Sequence, residues 1–201
     1  MNRKILGIVG SYRKGGTIDL LVTEALSSAS ALGAETTKIY LIDQHIEFCR
    51  NCRKCTQEAG TEPGKCVRRD DMDSILTQYR DSDAIVLGAP VNFFNVNALT
   101  RKFMERLVCF AYWPWGTQGG PKMRTKRRTK KAVLITSTAM PAVLGRFFTG
   151  ALRALRITAR TMGAKPIASI FVGLIAENER PSVPTKALRK AREAGRRLVT
   201  G

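Results

Sequence analysis

Short apolar runs of strand length alternate along this chain with stretches whose apolar residues recur at helical spacing. Lys4–Val9 (KILGIV) is the first run, with few polar interruptions, as expected of a strand buried on both faces. Over 17–32, Ile18, Leu21, Val22, Ala25, Leu26 and Ala29 fall at helical spacing, and Gly33 follows in a C-cap position. The same alternation predicts strands over 37–42, 83–88, 131–137 and 167–172 and helices over 70–79, 96–109, 144–162 and 184–199. Asp70 and Asp71 are expected against the N-terminal dipole of the 70–79 helix.

Repeated strand–helix units imply an α/β architecture: a parallel sheet, right-handed crossovers and helices on both faces. Two segments are longer than a strand-to-helix connection needs, the cysteine-bearing stretch 49–66 and the loop 110–130. At 201 residues, the chain is expected to form one domain, 1–201, carrying these two insertions.

With 44% hydrophobic and 25% charged residues, disordered, collagen-like and disulfide-miniprotein classes are excluded. The net charge of +18 changes the picture more, because it favours anionic partners: nucleotide phosphates, an acidic protein, nucleic acid or an anionic membrane face. No membrane span is expected, since the longest uncharged run, 84–100, is interrupted by Pro90 and three Asn. The apolar run at 5–9 ends in Gly10-Ser11-Tyr12-Arg13-Lys14-Gly15-Gly16 and not in a small-residue cleavage site, so a cytoplasmic location is expected.

That glycine segment, closed by Thr17, is the first candidate site. The first strand-to-helix turn of a doubly wound sheet is where a phosphate meets free backbone N–H groups at a helix N-terminus. Ser11 and Thr17 offer hydroxyls and Arg13 a charged fork, while neither GxGxxG nor GxxxxGK[ST] is present. The alternative is a plain glycine turn with a Thr cap.

Taken in order, GSYRKGGT at 10–17, Cys49-Arg50-Asn51-Cys52-Arg53-Lys54-Cys55, Gly64-Lys65-Cys66-Val67 before Asp70-Asp71-Met72, and Gly88-Ala89-Pro90-Val91-Asn92-Phe93-Phe94-Asn95-Val96 resemble the flavodoxin-like NAD(P)H-dependent FMN reductases and the related iron–sulfur flavoproteins. The resemblance covers most of the first half; the second half matches in strand–helix order and in the turn after the fourth strand. It implies a flavodoxin-like three-layer sandwich with a five-stranded parallel sheet. Ser11, Arg13, Gly16, Thr17 and the backbone of Ile18 would then hold the FMN phosphate. Pro90, Val91, Asn92, Phe93, Phe94, Asn95 and Val96 would line the isoalloxazine ring, approached also by Ser137, Thr138 and Ala139. Two positions depart from the pattern: Ile18 stands where many members carry a hydroxyl, and Asn92 where an aromatic is common. The implied activity is hydride transfer from NAD(P)H to FMN with electrons passed onward, no side chain acting as acid or base. Members often form homo-dimers or tetramers, so a homo-oligomer is expected.

The chain has five cysteines, four of them clustered. Cys49-x2-Cys52-x2-Cys55 followed by Cys66 has three readings. Thiolates spaced by two can wrap a [4Fe-4S] cluster, the arrangement of the resembled iron–sulfur flavoproteins, although ten residues separate Cys55 from Cys66. A zinc site with four thiolates is the second, and unligated reduced thiols the third. Arg50, Arg53 and Lys54 interleave the thiols and would present a basic rim to an acidic donor such as ferredoxin. Cys109 is expected to be buried and structural, and His45 has no assigned role.

The stretch 122–131 holds seven cations in ten residues, after the aromatic segment Ala111-Tyr112-Trp113-Pro114-Trp115-Gly116. A solvated surface loop is one reading. A lid over the phosphates of NADPH and a docking patch for an acidic protein are others. Nucleic acid ranks last, because no nucleic-acid fold signature accompanies the loop.

Overall fold

The structure is a computed structural model that describes residues 2–125, 129–176 and 182–200. In chain order the elements are β1 (Lys4–Val9), α1 (Thr17–Ser30), β2 (Glu35–Tyr40), α2 (Met72–Asp81), β3 (Ala84–Asn92), β4 (Asn95–Val96), α3 (Ala98–Arg106), β5 (Ala111–Tyr112), β6 (Lys122–Met123), β7 (Lys130–Ser137), α4 (Ala142–Phe148), α5 (Ala151–Thr161), β8 (Ala164–Val172) and α6 (Thr185–Thr200).

Five parallel strands form the sheet in the order β2-β1-β3-β7-β8, and the two-residue β4 pairs antiparallel with the end of β3. Because β1 and β3 are buried on both faces, their apolar residues feed two cores. Ile5, Val9, Val86 and Ile135 point toward α1 and α6, whereas Leu6, Ile8, Leu87 and Leu134 point toward α2, α3 and α5. Helix α6 comes close to α1 because Gly195 lies against the Ala25 carbonyl, where a side chain would not fit. The result is the expected three-layer, flavodoxin-like order. Among the described residues no helix is long and apolar enough to cross a membrane.

Several boundaries differ from the pattern reading, and each difference has a local cause. The helix expected over 144–162 is two helices, because Thr149 is extended and its hydroxyl donates to the Gly145 carbonyl at 2.6 Å. The next amide, of Gly150, donates to the Phe94 carbonyl at 2.7 Å instead of continuing the helix. The helix expected over 96–109 starts only at Ala98, since Val96 belongs to β4 and Asn97 caps the helix by accepting from the Thr100 amide at 3.0 Å. It ends in a 3-10 turn over Leu107–Phe110. Helix α2 begins at Met72, whose amide donates to the Asp70 carboxylate at 3.1 Å as the sequence leads one to expect, while the Asp70 and Asp71 carboxylates also reach back to the amides of Glu47 and His45, at 2.9 and 2.7 Å. Strand β8 starts at Ala164 and tolerates Pro166 because it is an edge strand with an irregular register opposite Ala132 and Val133.

The two insertions pack on each other. Arg124 donates to the carbonyls of Cys109 (3.0 Å), Cys55 (3.1 Å) and Gly60 (3.3 Å), and the Trp113 amide donates to the Thr56 carbonyl at 2.8 Å. The cations Lys126, Arg127 and Arg128 of the basic stretch lie outside the described residues.

Candidate functional site

Three connections leave the sheet at one level: those after β1, β3 and β7. The register sets this, with Val9 opposite Gly88, Gly88 opposite Ile135 and Pro90 opposite Ser137. They flank the crevice beside the first strand where doubly wound sheets bind ligands.

The first connection, 10–16, is shaped by its glycines and held by distant residues. The Gly10 amide donates to Gly88 at 2.7 Å, and the Gly10 carbonyl accepts from Asn97 Nδ2 at 2.7 Å and Thr100 Oγ1 at 3.1 Å. A side chain at 10 would collide with Thr100, and Gly15 sits at φ +75°. The Arg13 amide donates to Ser11 Oγ at 3.1 Å, curling the loop toward the start of α1. That helix has Gly16 as its N-cap and no side-chain cap, so its first amides face the loop. Asp19 braces the far side, accepting from the Gly15 amide at 2.7 Å, Lys38 Nζ at 2.9 Å and Tyr40 Oη at 3.0 Å. Burial would raise its pKa, but these partners outweigh burial and hold the carboxyl below its ordinary value.

The second connection is a hairpin. Asn92 and Asn95 face each other across Phe93 and Phe94, which both take positive φ, 45° and 62°. Asn and Gly normally occupy that turn, so two phenylalanines there mark a strained and purposeful tip. Phe93 is 98% exposed. The third connection starts from Ser137, whose hydroxyl is buried without a partner among the described residues, as are those of Thr17 and Thr136. The Thr138 amide donates to Val172 at 2.8 Å, and Ala139 is exposed at the turn.

The sequence-predicted phosphate and ring residues therefore meet at one crevice. Ser11 and Thr17 are buried there and Arg13 is exposed at its mouth. Ile18 turns its side chain into the core against Gly88, so only its backbone can face the loop. Pro90 and Val91 are half-buried, Asn92 and Phe94 exposed, Asn95 half-buried and Val96 buried. Sequence reasoning missed Asp19 and the Asn97–Thr100 pair. An Asn immediately before a helix is a readable cap signal, but its second bond to Gly10 is not.

A second grouping lies away from this crevice. Cys49, Cys52, Cys55 and Cys66 line one small pocket together with Arg53, Arg68 and Arg106. All are free thiols; Cys52 is exposed, Cys49 and Cys66 half-buried and Cys55 buried. Burial first, then the neighbouring thiols, push Cys55 up to about 11. Burial likewise pushes Cys109 up to about 12. Among the described residues, no three His, Cys, Asp or Glu form a ready single-ion site. The arginines are firmly held. Arg106, 4% exposed, pairs bidentately with the fully buried Asp70 carboxylate and donates to the Glu47 carbonyl at 2.9 Å. Arg53, itself at φ 55°, lies between the rings of Trp113 and Trp115, at 3.6 and 4.0 Å, and donates to the Trp113 carbonyl at 2.6 Å. The Nε groups of Arg53 and Arg68 are buried without acceptors among the described residues. Orphaned donors beside four thiols fit a negatively charged thiolate-bound group. The aromatic clamp joins residues 60 positions apart, and nothing in the spacing announced it.

A family model described as NADPH-dependent FMN reductase matches residues 3–178. Among curated proteins, an iron–sulfur flavoprotein of Archaeoglobus fulgidus is 34% identical over 119 residues, 58% of this chain and 52% of that protein. One of Methanocaldococcus jannaschii is 41% identical over 103 residues, 51% of each chain. The chain thus spans about half the length of the curated relatives it matches. Among solved structures, an NAD(P)H:quinone oxidoreductase from Methanothermobacter marburgensis superposes with TM-score 0.71 at 16% identity, over 98% of this chain and 100% of that one. An FMN-dependent NADH-azoreductase of Bacillus anthracis, solved with FMN, gives 0.70 at 15% identity, covering 100% of both chains. These structural likenesses show the fold.

Proposed function

The chain belongs to the NADPH-dependent FMN reductase family, and from that premise we propose that residues 1–201 form one FMN-binding unit acting as an oxidoreductase. The observation that carries the reading is the crevice at the strand ends, where the hydroxyls of Thr17 and Ser137 are buried without partners beside an uncapped helix N-terminus. Buried polar groups are nearly always satisfied, so a ligand with acceptor groups fits that place. The α1 amides with Ser11, Arg13, Gly16 and Thr17 would take the phosphate. Residues 90–96 and 137–139 would hold the ring by backbone contacts and exclude water from it. Bound there, FMN supplies a ring that accepts hydride from the nicotinamide of NAD(P)H and passes electrons onward, while the protein orients both partners.

A specific observation favours a second feature of the same enzyme: the thiol pocket with its orphaned arginine donors. On that basis Cys49, Cys52, Cys55 and Cys66 hold a [4Fe-4S] cluster, and an acidic electron carrier of the ferredoxin class is the donor to it. The curated relatives bearing the iron–sulfur flavoprotein name support this reading.

Phe93 and Phe94 of the hairpin are exposed, as are Val143, Phe147 and Phe148 of α4, the helix that follows the third connection. Exposed apolar side chains of this kind call for cover, and we assign it to a second copy of the chain in a homo-dimer or tetramer. A cytoplasmic place suits reduced thiols and nicotinamide chemistry.

The test is an anaerobic absorbance spectrum of the purified protein with iron and acid-labile sulfide assayed on the same sample. Flavin bands and NAD(P)H oxidation are expected, with about four iron per chain if the thiols are loaded. Flavin without iron would remove the cluster and leave the reductase. Protein that neither carries nor takes up FMN would overturn the reading in favour of a basic binding module.

A further inference from the structure

One cavity lies apart from the proposed flavin crevice. It has a volume of about 490 Å³ and lies between α2, the Pro63–Cys66 segment, the 3-10 turn after α3 and the start of β7. None of the residues 10–17, 90–96 or 137–139 lines it. Its size falls in the range of small-molecule sites, roughly 300 to 1,000 Å³.

Two features of the lining define what would fit. The floor is made of Met72, Leu76, Tyr79, Cys109, Phe110 and Met162. Three sulfurs and two aromatic rings on one floor suit a flat aromatic group, because sulfur and ring edges both attract ring faces and edges. The rim carries Lys65, Arg80, Arg106 and Lys130 against Glu62 and Asp73, an excess of positive charge among the described residues. Arg106 is buried and committed to Asp70, Asp73 lies 3.7 Å from Arg69, Arg80 lies 3.4 Å from Asp81, and Lys130 donates to the Arg80 carbonyl at 2.9 Å, which leaves Lys65, with the charge of Lys130 behind it, to set the sign at the mouth. Cys66 and Arg106 belong both to this cavity and to the thiol pocket, so an occupant would sit beside the thiols and away from the phosphate loop.

We propose that this cavity is a second ligand site, taking a compact aromatic acid against the sulfur-rich floor with its anion toward Lys65. Binding is a property of the cavity and does not require the thiols to be loaded.

Isothermal titration of the FMN-loaded protein with naphthalene-2-carboxylate, and with the neutral naphthalene-2-carboxamide, tests it. One carboxylate per chain is expected, held about fivefold more tightly than the amide, the effect of one partly screened charge pair. Leu76→Trp, which fills the cavity, is expected to weaken both probes by more than about tenfold. Lys65→Glu should weaken the carboxylate and spare the amide. Flavin absorbance and the thermal melt report whether each variant is folded; where Leu76→Trp is not, Lys65→Glu decides. Absence of binding at millimolar probe, equal affinity for the two probes, an unchanged affinity in folded Leu76→Trp, or displacement of FMN by the carboxylate would each overturn the proposal.

Discussion

Replacing Thr17 by valine separates the cost of an unfilled phosphate loop from the gain of a filled one. The Thr17 hydroxyl is buried, the residue 4% exposed, and it has no hydrogen-bond partner among the described residues. Removing a buried, unsatisfied hydroxyl while keeping the side-chain shape relieves about 1 kcal/mol. The flavin-free melting temperature should therefore stay level or rise by roughly 2–4 °C, the equivalent of 1 kcal/mol in a chain of this size. In the FMN complex the same hydroxyl would donate to a phosphate oxygen, a charge-assisted bond worth about 1.5–3 kcal/mol. FMN affinity should then fall by about one to two powers of ten. Because a ligand stabilises in proportion to the logarithm of its concentration over Kd, the melting temperature at fixed FMN should drop while the flavin-free one does not. The assay is paired: thermal melts with and without FMN, and quenching of flavin fluorescence for Kd. A Thr17→Val variant that binds FMN as tightly as the parent refutes the phosphate assignment. One whose flavin-free form loses more than about 1 kcal/mol refutes the claim that the hydroxyl is unsatisfied.

Other outcomes follow from the same geometry. Arg106→Leu leaves the buried Asp70 carboxylate without its partner and should cost about 3–5 kcal/mol by urea unfolding, much of it recovered in the Arg106→Leu, Asp70→Asn double variant. Asp19 and Asp70 both have pKa values held below the ordinary 3.8. Their stabilisation is complete above that value and lost as pH falls through the lower folded values, so acid unfolding should begin below about pH 4 and be less steep in Asp70→Asn. Trp113 and Trp115 are the two tryptophans of the chain, and both stack on Arg53. Arg53→Ala should accordingly red-shift the whole tryptophan emission, and an unchanged spectrum would refute the clamp. In metal-free protein at about pH 8, iodoacetamide should modify exposed Cys52 first. Cys55 and Cys109, raised to about 11 and about 12, should react last by peptide mapping.

The parallel sheet was legible because buried strands such as Ile5–Val9 and Ile85–Leu87 are continuous apolar runs that periodicity cannot mistake for loop. Strand β2 starts two residues before the pattern places it, because its first half, Glu35–Thr37, is made of exposed and half-exposed polar residues and carries no apolar signal. The break between α4 and α5 was hidden for a different reason. It depends on the Phe94 carbonyl taking the Gly150 amide, a contact across 56 positions that no local window contains. The glycine loop 10–17 and the four clustered cysteines, the two proposed sites, stand out in the spacing because such motifs are local. Their supports do not: Asp19 works through Lys38 and Tyr40, and Arg124 of the basic stretch braces the carbonyls of Cys55 and Cys109. The stretch 122–131 suggested a lid, and its residues 126–128 lie outside the described residues.

Helix α3 ties the two sites into one frame. At its start, Asn97 and Thr100 hold the Gly10 carbonyl and thereby the phosphate loop. At its end, Arg106 holds Asp70 and forms the wall shared by the thiol pocket and the large cavity. Nine residues separate these duties, and at 1.5 Å per residue the helix spans about 14 Å. Its apolar side, Leu99 and Phe103, is locked in the core, so neither end can shift without the other. A flexible linker between the same two sites would leave their separation to fluctuate, whereas this short, doubly anchored helix fixes it. The placement of the cysteine insertion is then not independent of the proposed flavin crevice. It hangs from the far end of the helix that closes the phosphate loop, and residues 49–66 and 110–125 fold onto that end through Arg53, Arg106 and Arg124.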